Sequence, residues 1–323
     1  GTLQSPELEP HHNLTLAIVA PPLGMMGWKG VGALPLLACI GIGRVQGQPV
    51  GPALYFTDSG ANVIRRAQLD GSGMQDVVYG APGAALRGLA IDELAGKMYW
   101  CERDAKAIRR ANLDGSDIET FVATKSGPEG LAVERNLGMV YWTDVEGSVQ
   151  RADKGNAIPE DIVKASFLRR EGLAIDSSRG EMVWPTSSGG SLSSIQRASL
   201  DGSGVHILAG SEDFTLPEMS TPLSIAVHGA TGDVYWSDIV TDSVYRATPD
   251  ASVVEVIVSQ GLHSPLGLAI DEVRGKLYWV DRGNSTQHDA YDAIWRSDLD
   301  GANAEVVLTD GLAEPRSVAI LQR

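Results

Sequence analysis

Hydrophobic residues in this chain come in short runs rather than long stretches. The clearest series is "RGLAID" (87–92), "KMYW" (97–100), "AIRRANLDGS" (107–116) and "IETFV" (118–122), β-branched or aromatic runs separated by Gly, Asp and Ser. Runs of this kind predict strands, and four in succession with turns between them predict an antiparallel meander. Asp-Gly pairs at 70–71, 114–115, 201–202 and 300–301 supply residues tolerant of positive φ for a tight hairpin between the third and fourth strands. In two further units "DKGN" (153–156) and "TPDA" (248–251) take that place.

The second strand of the meander recurs, as Tyr55-Phe56-Thr57-Asp58, Tyr99-Trp100-Cys101-Glu102, Tyr141-Trp142-Thr143-Asp144, Val183-Trp184-Pro185-Thr186, Tyr235-Trp236-Ser237-Asp238 and Tyr278-Trp279-Val280-Asp281. The copies are spaced 44, 42, 42, 52 and 43 residues apart. A period of about 40 residues with strand-like content predicts an all-β fold, a six-bladed β-propeller with four-stranded blades. First strands run from Gly88, Gly130, Gly172, Ser224, Gly267 and Ser317, and the last has no motif strand after it. "RSVAI" (316–320) is therefore expected to pair into the blade begun by "ALYFTD" (53–58), closing the ring and removing open edges. Each third strand carries an arginine (Arg66, Arg110, Arg151, Arg197, Arg246, Arg296), and five of the six motif strands end in a carboxylate. This predicts a repeated pair between that arginine and the motif carboxylate.

"VYWTD" and "ANLDGS", repeated in register, resemble the YWTD, or low-density lipoprotein receptor class B, repeat. Over residues 51–323 the chain is similar to the six-bladed propellers of that family, in a stand-alone secreted microbial or fungal form. "YWCE" (99–102) and "VWPT" (183–186) depart from the pattern and mark diverged blades. The resemblance implies a binding module. Some stand-alone YWTD-like propellers of fungal secondary metabolism are hetero-Diels-Alderases, which implies as an alternative a cofactor-free pericyclase, a chemistry needing proximity and one or two hydrogen-bond donors.

A formal charge of −15 and a pI near 4.8 argue against nucleic acid or an anionic membrane as partner, since both demand a basic face. Residues 25–47 have the three-part layout of a secretory signal peptide, with Lys29, an apolar stretch from Val31 to Ile42 and small residues before Gly47. That stretch is too short to span a bilayer. On this reading residues 1–24 are an extension of the gene call or disordered, and 48–323 form one secreted propeller. "LLAC" (36–39) also resembles a bacterial lipoprotein box with Cys39 as the lipidated residue. Cys101, within a motif strand, reads as a small buried hydrophobe. Asn284-Ser285-Thr286 is a glycosylation sequon in a eukaryotic host.

The sequence contains no G-x-S-x-G, no H-E-x-x-H and no P-loop, and its histidines do not cluster at ligand spacing. No cofactor or metal is expected, and His228 reads as a local hydrogen-bonding residue. A calcium-dependent lactonase would need convergent acid and amide ligands at the axis. Binding is expected where the repeats break their own rule: "SSGGSLSS" (187–194), "SEDFTLPEMSTP" (211–222) and "RGNSTQHDAYDA" (282–293), all on one face around blades 4 to 6. That face is also the candidate surface for a protein partner. The residues just before the first strands, in ring order, are Arg316, Arg87, Glu129, Glu171, Leu223 and Leu266. A funnel with a charged arc and an apolar arc suits a peptide or an amphipathic small molecule. Arg87, Arg316 and His288 are the candidate donors for catalysis, and Phe214, Tyr291 and Trp295 the candidate apolar walls.

Overall fold

The computed structural model describes residues 51–323 apart from 165–167, 188–192, 211–218 and 284–290. The leader-like segment, Cys39, Phe214, Asn284 and His288 lie outside the described residues. The chain divides after Gln46, and the fold described here belongs to Gly47–Arg323.

The described strands form six antiparallel four-stranded sheets, which are the six blades. Five blades use consecutive strands, as in Leu86–Asp92, Lys97–Glu102, Ala107–Asn112 and Glu119–Ala123. The sixth joins the two ends of the ring: Pro315–Leu321 pairs with Ala53–Asp58, Leu54 facing Ile320. The C-terminal strand thus becomes the innermost strand of blade 1 and the ring has no open inner edge.

Successive side chains of a strand point to opposite faces, so the two aromatics of each motif serve two different interfaces. Tyr99 packs with Trp142, Tyr141 with Trp184, Tyr235 with Trp279 and Tyr278 with Phe56, in clusters that join neighbouring blades. All of these rings are at most 1% exposed. Each indole withdraws roughly 150–250 Å² from water, on the order of 4–6 kcal/mol before ordering costs. The Asp-Gly hairpins close the outer contact. Gly71, Gly115, Gly202 and Gly301 have φ of 80–85°, and a Cβ there would meet a carbonyl of the preceding blade at 2.1–2.2 Å.

The same alternation corrects the expected arginine scheme. Arg66, Arg110, Arg151, Arg246 and Arg296 lie directly opposite the motif tyrosines and share their face, whereas the motif carboxylate, three residues further on, is on the other face. The motif carboxylates of blades 1 and 2 pair instead with the preceding arginines, Arg65 with Asp58 at 2.7 Å and Arg109 with Glu102 at 3.2 Å. Arg110 and Arg151 bond glutamates of the outermost strand, Glu119 at 2.6 Å and Glu160 at 2.9 Å, and Arg296 likewise bonds Glu305.

Candidate functional site: the axial funnel

The innermost strands start at the funnel mouth with a break in register, for example between Pro128 and Leu131, Pro222 and Ile225, and Pro265 and Leu268. The hydroxyl at the third motif position fills the gap. Thr143 Oγ1 accepts from Gly130 N at 2.9 Å, Ser237 Oγ from Ser224 N at 3.2 Å, and Thr57 Oγ1 from Ser317 N at 3.1 Å. The next residue, the motif carboxylate, ties down the loops around the mouth. Asp238 accepts from Ser220 N and Thr221 N on one loop and from Val240 N and Thr241 N on another, all at 2.7–3.1 Å. Asp281 holds His263 N and Ser264 N in the same way.

At the axis the strands approach too closely for side chains. A Cβ on Gly88 would lie 2.5 Å from the Glu129 carbonyl oxygen, and one on Gly130, Gly172 or Gly267 would lie 2.7 Å from that of Glu171, Leu223 or Arg316. The remaining two positions hold Ser224 and Ser317, whose hydroxyls accept from Leu268 N and Leu89 N in the next blade. These small residues bring their predecessors together, and Arg316, Arg87, Glu129, Glu171, Leu223 and Leu266 line one cavity of about 100 Å³.

Charge is unevenly satisfied around this ring. Glu129 is 4% exposed and pairs with Arg87 at 3.3 Å and Arg103 at 3.4 Å. Burial pushes its carboxyl above the ordinary value and the neighbouring Glu171 adds to this, against the two arginines. Glu171 is held by Arg169 at 2.5 Å. Burial lowers the pKa of both Arg87 and Arg316; for Arg316 the neighbouring Arg87 and Arg282 push the same way. The nearest carboxylate to Arg316 is Glu314 at 3.7 Å, and the buried Arg316 Nε has no hydrogen-bond partner among the described residues.

Trp295 does not reach the funnel. It lies opposite Trp279 in the paired strands of blade 6 and stacks on it, centroids 6.1 Å apart. Tyr291 is 70% exposed and is not among the cavity-lining residues. His228 is a local hydrogen-bonding residue, Nδ1 to Thr231 at 2.8 Å and Nε2 to Glu272 at 3.1 Å. Sequence reasoning missed Arg103, Arg169 and Arg282, which surround the acids and Arg316. Two of them directly follow a motif carboxylate, at positions where the other blades carry no cation, and that irregularity was the available signal. Among the described residues no three His, Cys, Asp or Glu side chains gather as metal ligands, and no helix is long and apolar enough to cross a membrane.

No family model matches the chain. Low-density lipoprotein receptor-related protein 8 of Homo sapiens is 36% identical over 75 residues, 22% of this chain and 8% of that protein. Low-density lipoprotein receptor-related protein 1 of Pyricularia oryzae is 36% identical over 115 residues, 31% of this chain and 36% of that protein. The chain therefore spans about a third of the second relative's length and under a tenth of the first's. Among solved structures, a chain of a nidogen/laminin complex superposes with a TM-score of 0.72 at 20% identity, covering 84% of this chain and 100% of that one. At that identity the likeness speaks for the fold alone.

Proposed function

We propose that this chain, a six-bladed YWTD β-propeller, is a binding module that takes an acidic side chain of a partner polypeptide into its axial funnel. The observation that carries the reading is the Arg316 guanidinium. It stands at the mouth beside Arg87, and among the described residues its buried Nε is unbonded and the half-exposed Glu314 is the only carboxylate within 4 Å. A carboxylate is the group that a guanidinium fork pairs with best, and it would restore the missing hydrogen bonds.

The volume supports a side chain over a whole small molecule. The described residues enclose about 100 Å³, against roughly 300–1,000 Å³ for pockets that bury a drug-sized ligand. A related fold was solved as part of a nidogen/laminin complex, which makes a protein partner a natural occupant. The leader-like pattern of residues 25–47 is consistent with action outside the cell.

The test is a screen of the full chain against short peptides that differ only in one central residue: Asp, Asn or Lys. The reading requires the Asp peptide to bind and Arg316→Ala to weaken it by on the order of tenfold or more. Indifference to the central residue or to Arg316 would refute it. Turnover of a quinone methide and an alkene into an adduct by the same protein would replace it with the pericyclase reading.

A further inference from the structure

At four of the six blade junctions the tyrosine and arginine faces form a latch. A tyrosine hydroxyl, an arginine guanidinium or both reach the backbone carbonyl of the next blade's outer hairpin, at Leu113, Lys154, Leu200 and Leu69. Between blades 5 and 6 the equivalent carbonyl is that of Leu299, and neither group bonds it. Arg246 is turned away, Nε and Nη2 both donating to Asp233 at 3.0 and 2.8 Å and Nη1 to Glu255 at 3.3 Å.

The cause is legible in the sequence. Asp233 stands two residues before the motif tyrosine, where blades 1, 2, 3 and 6 have Ala53, Lys97, Met139 and Lys276. Blade 4 also has an acid there, Glu181, and its arginine is captured in the same way, Arg197 to Glu181 at 3.3 Å.

With the latch open, a cleft of about 440 Å³ remains between blades 5 and 6, at the opposite end of the strands from the funnel mouth. Tyr235, Leu299, Asp298 and Asp300 line it together with Arg246 and Asp233. Tyr235 is 1% exposed, and its side chain makes no hydrogen bond among the described residues. Burial pushes its hydroxyl up to about 12, so it stays neutral and able to donate or accept. Asp298 is partnered by Lys276 and Asn303, whereas Asp300 accepts only from Ala302 N at 3.0 Å and makes no ion pair among the described residues.

We propose that this cleft binds a guanidinium group supplied from outside, in the position that the chain's own arginine occupies at the latched junctions. The acceptors are the Leu299 carbonyl, the Tyr235 hydroxyl and the Asp300 carboxylate. A planar group with several N–H donors answers such a set better than a compact ammonium does. The chain's net charge of −15 favours the approach of a cation. The proposal does not depend on what the funnel binds.

The experiment is calorimetric titration of the full chain with N-acetyl-arginine amide, its citrulline counterpart as neutral isostere, and agmatine, which carries the guanidinium without a backbone. Saturable binding of the arginine amide is expected, at least roughly tenfold tighter than the citrulline compound, with Tyr235→Phe and Asp300→Asn each weakening it several-fold. Asp233→Asn provides the control for folding: it releases Arg246 to close on Leu299, so binding should vanish while the melting temperature stays equal or rises. Tighter binding of the amide than of agmatine would indicate a polypeptide arginine as the ligand, and the reverse order a free guanidino compound. Equal binding of the arginine and citrulline amides, no saturable binding at all, or unchanged binding by Asp233→Asn would overturn the proposal.

Discussion

Tyr141 and Arg151 share one acceptor. The arginine Nη1 donates to the Leu200 carbonyl at 2.9 Å and the tyrosine hydroxyl donates to the same oxygen at 3.3 Å. The two residues face each other across paired strands of blade 3, and Leu200 belongs to blade 4. What reads in the sequence as three separate signatures, the motif tyrosine, the third-strand arginine and the Leu-Asp-Gly turn, is one interblade contact.

Because both donors meet one oxygen, their loss should not be additive. Arg151→Ala is expected to cost about 1.5–3 kcal/mol and Tyr141→Phe about 1 kcal/mol, each variant leaving one donor on the Leu200 carbonyl. The double variant removes both and should exceed the sum by at least about 0.5 kcal/mol in urea unfolding. Strict additivity would mean that the two groups stabilise the blade independently.

The axial glycines make a harder prediction. A methyl at Gly130 would overlap the Glu171 carbonyl oxygen at 2.7 Å and backbone atoms of Gly172 and Leu173 at 2.7 and 2.9 Å, none of which can yield without moving an inner strand. Gly130→Ala should therefore destabilise by roughly 3 kcal/mol or more, or fail to yield folded protein. Gly51→Ala, with nothing within 4 Å, should unfold like the parent chain.

Symmetry made the ring legible, and symmetry also explains where reading stopped. The six axial residues could be named from sequence because each is fixed by a small residue that follows it, and six copies leave one arrangement in common. The arginine partners were misread because the motif carboxylate was matched by composition rather than by parity. The strand register sets Arg151 directly opposite Tyr141 and so on its face, whereas Asp144, an odd three positions along the tyrosine's own strand, is on the other. Trp295 was misplaced for the same reason, since its register opposite Trp279 makes it a packing residue of the blade. Arg103 could be flagged as an irregular cation but not matched to Glu129, because that ion pair joins segments 26 residues apart, whereas Arg169 stands only two residues before Glu171 and was within reach of the sequence.

Cys101 tests the interior of blade 2. The side chain is fully buried, and burial raises its thiol pKa well above the ordinary value. In a Cys39→Ser background, a disulfide reagent at neutral pH should leave the native protein unmodified and label one thiol on addition of denaturant. Rapid labelling without denaturant would show that the blade opens locally.

Glu129 should make anion binding at the funnel depend on pH. Its carboxyl titrates above the ordinary value because it is buried and stands near Glu171. A folded-state pKa above the unfolded one means that the fold binds this proton preferentially. The stabilising contribution is therefore full below the unfolded pKa and is lost as pH rises through the folded value. Whole-protein stability is a poor readout, since Asp242 and Asp281 are raised by burial as well. Affinity at the site is cleaner. Protonating Glu129 releases Arg87 from its 3.3 Å ion pair, so Arg87 joins Arg316 in facing the ligand. A peptide carrying cysteic acid, which stays ionised throughout, should bind more tightly as the solution is taken from about pH 7 to about pH 5, toward the ordinary carboxylate range. Glu129→Gln should bind it tightly at both ends with little pH dependence. If the variant keeps the full pH dependence of the parent, a group other than Glu129 controls the funnel.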